Sequence, residues 1–413
     1  MTTRRERGVV ITTLLVGYAS FYLCRANLDA ATPLLMTTFG YTKAQLGAVS
    51  SIAVLAYAVG KLVLGALGDV IGGRRVMLLA IFGSVSMTFA IATSSGLVAL
   101  TALAMANRFF QAGGWSGLVH VVSRWFPKER HGTVMGVLSS SYELGNLLTL
   151  LLCGAIVRRG FGWRALFLVN PALFLCVGVF VAIVLRGEPP NVDQADPAKK
   201  QAREPLMASL RWLAGKPSFW LAVSMSMLLT FLRTGFNTWT PTYLFEVGKA
   251  AGEKNGAWEA IVKSAIFPAA GIIASLTAGR VSDRFGPGKR APVMVVSLCA
   301  TVIAILFLAH GGVHSMTMAA LGVGVSGLFL LGPYSLLGGA ITLDVAGTRA
   351  TATATGIIDG VGYIGASLAG VTIGGVAQKY GWARAIDVLA LVAAVAAALS
   401  AVWSVMARRV GEG

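Results

Sequence analysis

Residues 65–75 read GALGDVIGGRR and residues 279–290 read GRVSDRFGPGKR, so Gly-x-x-x-Asp followed by glycine and a basic pair occurs twice. Each copy follows a long apolar segment. Glycine lets helices approach closely, aspartate can cap or pair at a helix end, and the basic residues anchor a short turn. The repeat predicts two related halves with conformational-switch loops, to which we assign these residues: Gly65, Asp69, Arg74, Arg75, Asp283, Arg284 and Arg290.

Composition places the chain in a membrane. Its 413 residues are 56% hydrophobic and only 12% charged, and the mean hydropathy is +0.74. Twelve apolar segments approach the ~20 residues that cross a ~30 Å hydrocarbon core. They are 9–37, 44–69, 75–95, 97–123, 132–157, 163–186, 217–246, 257–279, 290–311, 315–342, 350–379 and 381–407. Since backbone polar groups must be satisfied within lipid, the prediction is an all-α membrane protein with twelve transmembrane helices.

The basic residues predict the topology. The formal net charge is +17, but 21 of the 34 Lys and Arg fall at the termini and in the loops on the same side, nine fall on the other side, and four lie within helices. The bias predicts a multi-pass cell-membrane protein with both termini cytoplasmic, in a bacterial inner membrane, and argues against nucleic-acid binding. No small-residue cleavage site follows the basic N-terminus, so the first helix is expected to be retained.

One long polar stretch divides the chain. Residues 187–216 contain EPPNVDQADPAKKQAREP and separate six apolar segments from six others. The predicted organisation is therefore an N-terminal six-helix half at 1–186, a cytoplasmic linker at 187–216 and a C-terminal six-helix half at 217–413.

Two intramembrane arginines are the main candidate site. Arg25 begins RANLDAATP (25–33) and Arg233 begins RTGFNTWTP (233–241), at matching positions of the two halves. A guanidinium at the centre of a membrane helix costs about 2.5–3.5 kcal/mol, so such a residue indicates a functional site. Its planar fork of donors matches phosphate or carboxylate oxygens, and one arginine from each half can grip a single anion. The alternative is that each pairs with a nearby acid, such as Asp29.

Twelve spans in two sets of six, with the Gly-x-x-x-Asp loop repeated, resemble the Major Facilitator Superfamily. Within it, five stretches resemble the organophosphate/phosphate antiporters, which include glycerol-3-phosphate and hexose-phosphate transporters. They are GYASFYLCR (17–25), YAVGK (57–61), GWSGLVHVVSRWFPKERHG (114–132), FLRTGFNTWTPTYL (231–244) and GPYSLLGGAITLDVAGTRATATATGIIDGVGYIGA (332–366). The resemblance covers essentially the whole chain. It implies two six-helix halves that rock about a mid-membrane site.

The resemblance also implies which residues bind the anion. The paired arginines of that family fall on Arg25 and Arg233, and a further binding-site cation falls on Lys61. The alternative for Lys61 is that its ammonium extends to the cytoplasmic surface. Aromatic positions along the family's pathway fall on Tyr18, Tyr22, Tyr57 and Tyr363, whose hydroxyls can donate to an anion. Packing within the helix bundle is the alternative for each tyrosine.

The chain departs from the family in the fifth predicted helix. LSSSYEL (138–144) places Tyr142 where glycerol-phosphate members carry histidine. Substrate hydroxyls are expected to meet Asp29, Asn237 or Tyr142. Further intramembrane charges suggest proton coupling, and the candidates are Glu143, Asp359, Arg108 and Asp29. A purely structural Arg108–Glu143 pair is the alternative.

These observations predict a secondary active transporter that exchanges a phosphorylated organic anion for inorganic phosphate, by rocker-switch alternating access. The alternatives are a proton-coupled symporter of a carboxylate or phosphonate, and a sugar-phosphate sensor that does not transport. The sequence lacks a GxxxxGK[ST] loop, an HExxH motif and metal-ligand spacing of its four cysteines, so we expect no enzyme activity, cofactor or metal. The expected partners are a small anionic substrate, inorganic phosphate and the lipid bilayer, with the chain acting as a monomer.

Overall fold

The computed structural model describes residues 4–189, 206–253, 256–285, 291–337, 345 and 351–411. Helices form throughout these ranges, which contain no strand, so the all-α prediction is confirmed. The α-helices are α1 Arg4–Ser20, α2 Ala26–Phe39, α3 Lys43–Ile71, α4 Gly73–Ala92, α5 Leu97–Trp125, α6 Lys128–Arg158, α7 Trp163–Val184, α8 Leu206–Ala214, α9 Pro217–Ala250, α10 Ala257–Ser264, α11 Ile266–Phe285, α12 Ala291–His310, α13 Met316–Leu336, α14 Thr351–Tyr380 and α15 Trp382–Gly411.

The helices account for the predicted spans. In the described part of the chain, 11 segments are long and apolar enough to cross a membrane, with α1–α2 and α10–α11 each forming a single segment. Helix α5 has 29 residues, enough to span, but Asn107, Arg108 and Gln111 lower its hydropathy. Together with α5 these segments make twelve. The chain is a multi-pass membrane protein.

The chain divides into two compact units. Unit 1 comprises residues 1–41, 52–199 and 255–265, and unit 2 comprises residues 42–51, 200–254 and 266–413. The first turns of α3 therefore belong to unit 2, and α10 belongs to unit 1. The predicted linker lies mostly outside the described residues, so its boundaries at 187 and 216 stay a prediction.

Unit 1 is held by close helix crossings at small residues. Helix α4 packs along α5, and α1 packs against α6. A Cβ added at Gly145 would collide with the backbone carbonyl of Ala19, and one at Gly114 would come within 2.6 Å of the Phe21 ring. Because lipid removes most of the hydrophobic drive between helices, such tight van der Waals packing stabilises the bundle.

Unit 2 uses the same device between α9 and α14. A Cβ added at Gly365 would collide with the carbonyl of Met227, and one at Gly362 would lie 2.7 Å from the Ser226 hydroxyl. Helix α11 packs along α13, and α12 packs along α15. The glycines bring the polar face of α9 against α14, which positions the intramembrane charges of this unit.

Candidate functional site

The first predicted span is interrupted beside its arginine. Residues Phe21–Cys24 form a single 3-10 turn between α1 and α2, and Arg25 follows it with φ −113°. The Arg25 amide donates to the carbonyl of Tyr22 at 3.0 Å. No glycine or proline lies in residues 21–25, so the interruption has another cause. A 3-10 segment inside a longer helix is typical of a functional hinge or of local strain.

The cause lies in α5, whose side chains contact the backbone at the interruption. The side-chain amide of Gln111 donates from Nε2 to the carbonyl of Cys24 at 2.7 Å. Arg108 donates from a terminal nitrogen to the carbonyl of Arg25 at 3.3 Å. Side chains that insert into the hydrogen-bond ladder of a helix are an established cause of kinks. Two residues of α5 therefore stabilise the interruption of the helix that precedes Arg25.

The Arg25 guanidinium has two aromatic neighbours and one polar neighbour. Its Cζ lies 5.0 Å from the centroid of the Tyr22 ring and 4.7 Å from that of Tyr57. Its Nε donates to Oε1 of Gln111 at 2.8 Å. The faces of tyrosine rings attract cations, most strongly away from water. The two predicted tyrosines thus stabilise the buried guanidinium through their rings.

A second predicted cation shares one of these rings. Lys61 follows Tyr57 by one helical turn on α3, and its Nζ lies 5.7 Å from the Tyr57 ring centroid. Arg108 contacts the backbone of Arg25, as described above. Unit 1 thus gathers three basic side chains within its membrane-spanning part. Their mutual repulsion is stronger there than in water, so a bound anion would lower the free energy of the cluster.

A buried amide network lies behind Arg25. Besides its contacts at the interruption, Gln111 donates to Oδ1 of Asn107 at 2.7 Å. The Asn107 amide in turn donates to the hydroxyl of Thr88 at 2.7 Å and to the carbonyl of Ser84 at 3.0 Å, both on α4. We did not predict Gln111 or Asn107 as site residues. The sequence feature that could have identified them is a pair of amide side chains four residues apart within a membrane span.

The other predicted residues of unit 1 lie within or beside its apolar core. Tyr18 is buried against Trp115, with ring centroids 5.0 Å apart. Tyr142 is half-buried against the same core. The neighbouring Glu143 on α6 is buried, and so is Asp29 on α2. Packing therefore explains much of the environment of Tyr18 and Tyr142.

Arg233 lies on a polar face of α9 in unit 2. Its Cζ is 5.0 Å from the ring centroid of Tyr334 on α13, which is a cation–π contact like that of Arg25. Spacings of four, three and four residues place Ser226, Thr230, Arg233 and Asn237 on one side of the helix. Arg233 and Asn237 are both half-buried. Tyr334 is a site neighbour that we did not predict.

Two predicted residues of α14 lie beside the same polar face. Asp359 and Tyr363 are one turn apart and half-buried, and Gly362 lies between them. A Cβ at Gly362 would come within 2.9 Å of the Thr230 hydroxyl. The structure thus brings the polar stripe of α9 and the Asp359–Tyr363 turn of α14 together within unit 2.

The predicted switch loops are described in part. Arg74 donates from Nη2 to the carbonyl of Ala182 at 2.6 Å, in the last turn of α7. Arg75 beside it is exposed, and Gly65 on α3 is half-buried. The side chains of Asp69, Asp283 and Arg284, and the whole of Arg290, lie outside the described part of the structure. Among the described residues, no cluster of three or more His, Cys, Asp or Glu has metal-site geometry.

Similarity to known proteins identifies the family. A sequence model of the Major Facilitator Superfamily matches residues 14–370 and 259–412. A probable hexose phosphate transport protein of Chlamydia pneumoniae is 26% identical, over 90% of this chain and 85% of its own. The membrane sensor protein UhpC of Salmonella typhimurium is also 26% identical, over 96% of this chain and 91% of its own. The predicted resemblance to the organophosphate transporters is confirmed.

The fold is likewise shared with solved structures. A bacterial homologue of the human lysosomal transporter Spinster has a TM-score of 0.82 at 17% identity, covering 98% of each chain. At that identity the likeness concerns the fold alone. The helical architecture and the sequence match agree, and the chain belongs to the Major Facilitator Superfamily, whose members are membrane transport proteins rather than enzymes.

Proposed function

We propose that this protein is a secondary active transporter that exchanges a phosphorylated organic anion for inorganic phosphate. The observation that carries the proposal is the cluster of Arg25, Lys61 and Arg108 around Tyr57 and the interrupted first span. Half-buried cations within membrane spans suit an anion whose oxygens accept several hydrogen bonds. The name of one relative, a probable hexose phosphate transport protein, favours an organophosphate over other anions.

In the proposed mechanism Arg25 and Arg233 hold the phosphate oxygens, and Lys61 adds positive charge. Tyr22, Tyr57 and Tyr363 supply ring faces or hydroxyls, while Tyr142 and Asn237 meet the organic moiety. In an empty site the cations repel one another in a medium of low dielectric constant, so reorientation without an anion is costly. A bound anion removes that cost, which couples movement of one anion to the return of another. The protein would work as a monomer, with both termini cytoplasmic.

The test is uptake of radiolabelled phosphate by proteoliposomes that are either loaded with phosphate or left empty. We expect uptake only into loaded vesicles, and a loss of about 10- to 100-fold in Arg25→Lys and in Arg233→Lys, because lysine cannot reproduce the bidentate fork. Arg384→Lys is the matched control, since Arg384 is 72% exposed at the surface of unit 2. Equal uptake by empty vesicles would contradict exchange, and unchanged rates in both site variants would contradict the arginine assignment.

Proton-coupled symport is the first alternative, with the carboxyl groups of Glu143 or Asp359 as proton carriers. The burial of Glu143 within α6 favours it, because an ionisable side chain inside a membrane span is costly and typically functional. In this case, uptake into empty vesicles would follow an inward acid gradient. Glu143→Gln and Asp359→Asn would then abolish the response to the gradient and leave anion binding intact.

A sensor role is the second alternative, and the similarity to a membrane sensor protein favours it. A sensor would bind the organophosphate without moving it across the membrane. Saturable binding to the purified protein, combined with no uptake under either loading condition, would therefore replace the transporter proposal with this one.

A further inference from the structure

A contact to which the proposed function gives no role joins Gln111 to Arg25. Oε1 of Gln111 accepts from Nε of the guanidinium at 2.8 Å. Its Nε2 donates to the carbonyl of Cys24 and to Oδ1 of Asn107, both at 2.7 Å. Because Nε2 faces two oxygens that can only accept, the amide has one orientation that satisfies all three contacts. Gln111 thereby joins the guanidinium, the interrupted backbone and α4 in a single network.

The two amides of the network are buried and anchored. Gln111 is 0% exposed and Asn107 is 3% exposed. Asn107 is fixed in turn by the hydroxyl of Thr88 and the carbonyl of Ser84. A fully satisfied buried network holds its members in one arrangement, and loss of one member leaves the others without partners. Helix α4 is thus connected through α5 to the guanidinium.

The chemistry of the acceptor is as informative as its position. A guanidinium can grip an anion with two parallel hydrogen bonds along one edge of its fork. Because Gln111 engages the Nε hydrogen, the edge that can still make two parallel hydrogen bonds is the one formed by Nη1 and Nη2. An amide does this without a charge of its own, whereas a carboxylate would neutralise the guanidinium and compete with the anion. A neutral acceptor therefore orients the cation and preserves its attraction for phosphate.

We propose that Gln111 is the positioning residue of the anion site, acting through Arg25, and that its function requires a neutral side chain. The inference rests on the proposed function, because it assumes that Arg25 binds the transported anion. It deepens that function in two ways. A side chain of α5 orients the guanidinium, and that side chain must be an uncharged amide rather than a carboxylate.

The test compares phosphate affinity in three variants of the full-length protein, with radiolabelled inorganic phosphate as the probe. Gln111→Met removes the amide at nearly constant volume. Gln111→Glu keeps size and acceptor but adds charge. Asn170→Leu is the matched control, because Asn170 is also 0% exposed in unit 1 and donates to the sulfur of Cys153 at 3.1 Å, away from Arg25. The midpoint of thermal unfolding is measured with and without phosphate.

We expect Gln111→Met and Gln111→Glu each to raise the phosphate Kd about 10- to 100-fold. Gln111→Met loses the hydrogen bond to the charged guanidinium. Gln111→Glu keeps that acceptor, but its carboxylate neutralises the guanidinium and competes with the anion. At a phosphate concentration that saturates the native protein, the stabilisation by phosphate should be smaller in both variants. Asn170→Leu should lower the midpoint but keep both the native Kd and the native phosphate-induced shift. Native affinity in Gln111→Glu would overturn the requirement for neutrality. Equal Kd changes in Gln111→Met and Asn170→Leu would reduce Gln111 to a structural role.

A second readout separates positioning from general stability. In an Arg25→Lys background, Gln111→Met should add less than about twofold to the Kd, because contacting residues that act together give non-additive effects. A further loss as large as in the native background would overturn the proposal. Failure of the native protein to bind phosphate would instead refute the proposed function, and with it this inference, so the two failures are distinguishable.

Discussion

Lys43 and Glu246 form an ion pair in unit 2, with Nζ of the lysine 2.7 Å from Oε2 of the glutamate. Trp382 donates from its indole nitrogen to the same carboxylate oxygen at 2.8 Å, and the Lys43 ammonium lies 5.2 Å from the Trp382 ring centroid. The three residues come from the beginning of α3, the last turns of α9 and the beginning of α15. One carboxylate therefore ties three helices together.

Neutralising this carboxylate should destabilise the protein. Glu246→Gln keeps the shape and an acceptor for Trp382, but it leaves the Lys43 ammonium, which is 12% exposed, without its counter-charge. We expect a loss of about 1–3 kcal/mol, less than for a fully buried pair because Glu246 is 30% exposed. The midpoint of thermal unfolding in detergent measures the effect. Addition of Lys43→Met should recover part of the loss, and a further drop would contradict the pairing.

The ring of Tyr57, rather than its hydroxyl, should support anion binding. Tyr57→Leu removes the face that contacts the guanidinium of Arg25 and lies beside the Lys61 ammonium. We expect the KM for anion uptake to rise about 2- to 30-fold, the range of a cation–π contact of 0.5–2 kcal/mol. Tyr57→Phe keeps the face and should remain near the native KM. Equal defects in the two variants would assign the role to the hydroxyl instead.

The contact between α9 and α14 should tolerate no side chain at Gly365. Gly365→Ala places a Cβ against the carbonyl of Met227, and backbone cannot move aside as a flexible side chain can. We expect a loss of about 1–3 kcal/mol, as for overpacked cores. Gly360→Ala on the same helix is the matched control, because nothing lies within 4 Å of its Cβ. It should be neutral or slightly stabilising in the same thermal unfolding measurement, since alanine favours helix.

Adjacent arginines of the first repeat should differ in their effect on stability. Arg74 bonds a carbonyl in the last turn of α7, where a cation also interacts favourably with the helix dipole. Arg74→Gln should cost about 1 kcal/mol. Arg75→Gln should have little effect on the unfolding midpoint, because Arg75 is exposed. The same loss in both variants would show that the capping contact contributes nothing measurable.

The sequence predicted which residues are unusual but not how they meet. Arg25, Lys61 and Tyr57 were recognisable from their charge or aromaticity within apolar helices and from the resemblance to a transporter family. Gln111 was not predicted, because an amide has neither the charge nor the aromaticity that marked those residues. Its contact with Arg25 spans 86 positions of the chain, a separation at which no local pattern carries information.

Hydropathy and spacing along the chain by themselves determined the helical class, the twelve spans and the internal repeat, because the requirement for ~20 apolar residues per span is a local property of sequence. The superfamily followed from the resemblance of these features to a known family. Only the tertiary structure decided that the first span is interrupted at Phe21–Cys24 and that a neutral amide bonds the guanidinium of Arg25. Both depend on how α4 and α5 pack against the first span. Packing brings side chains from distant positions against particular backbone carbonyls, and that complementarity is a property of the folded bundle rather than of any one segment.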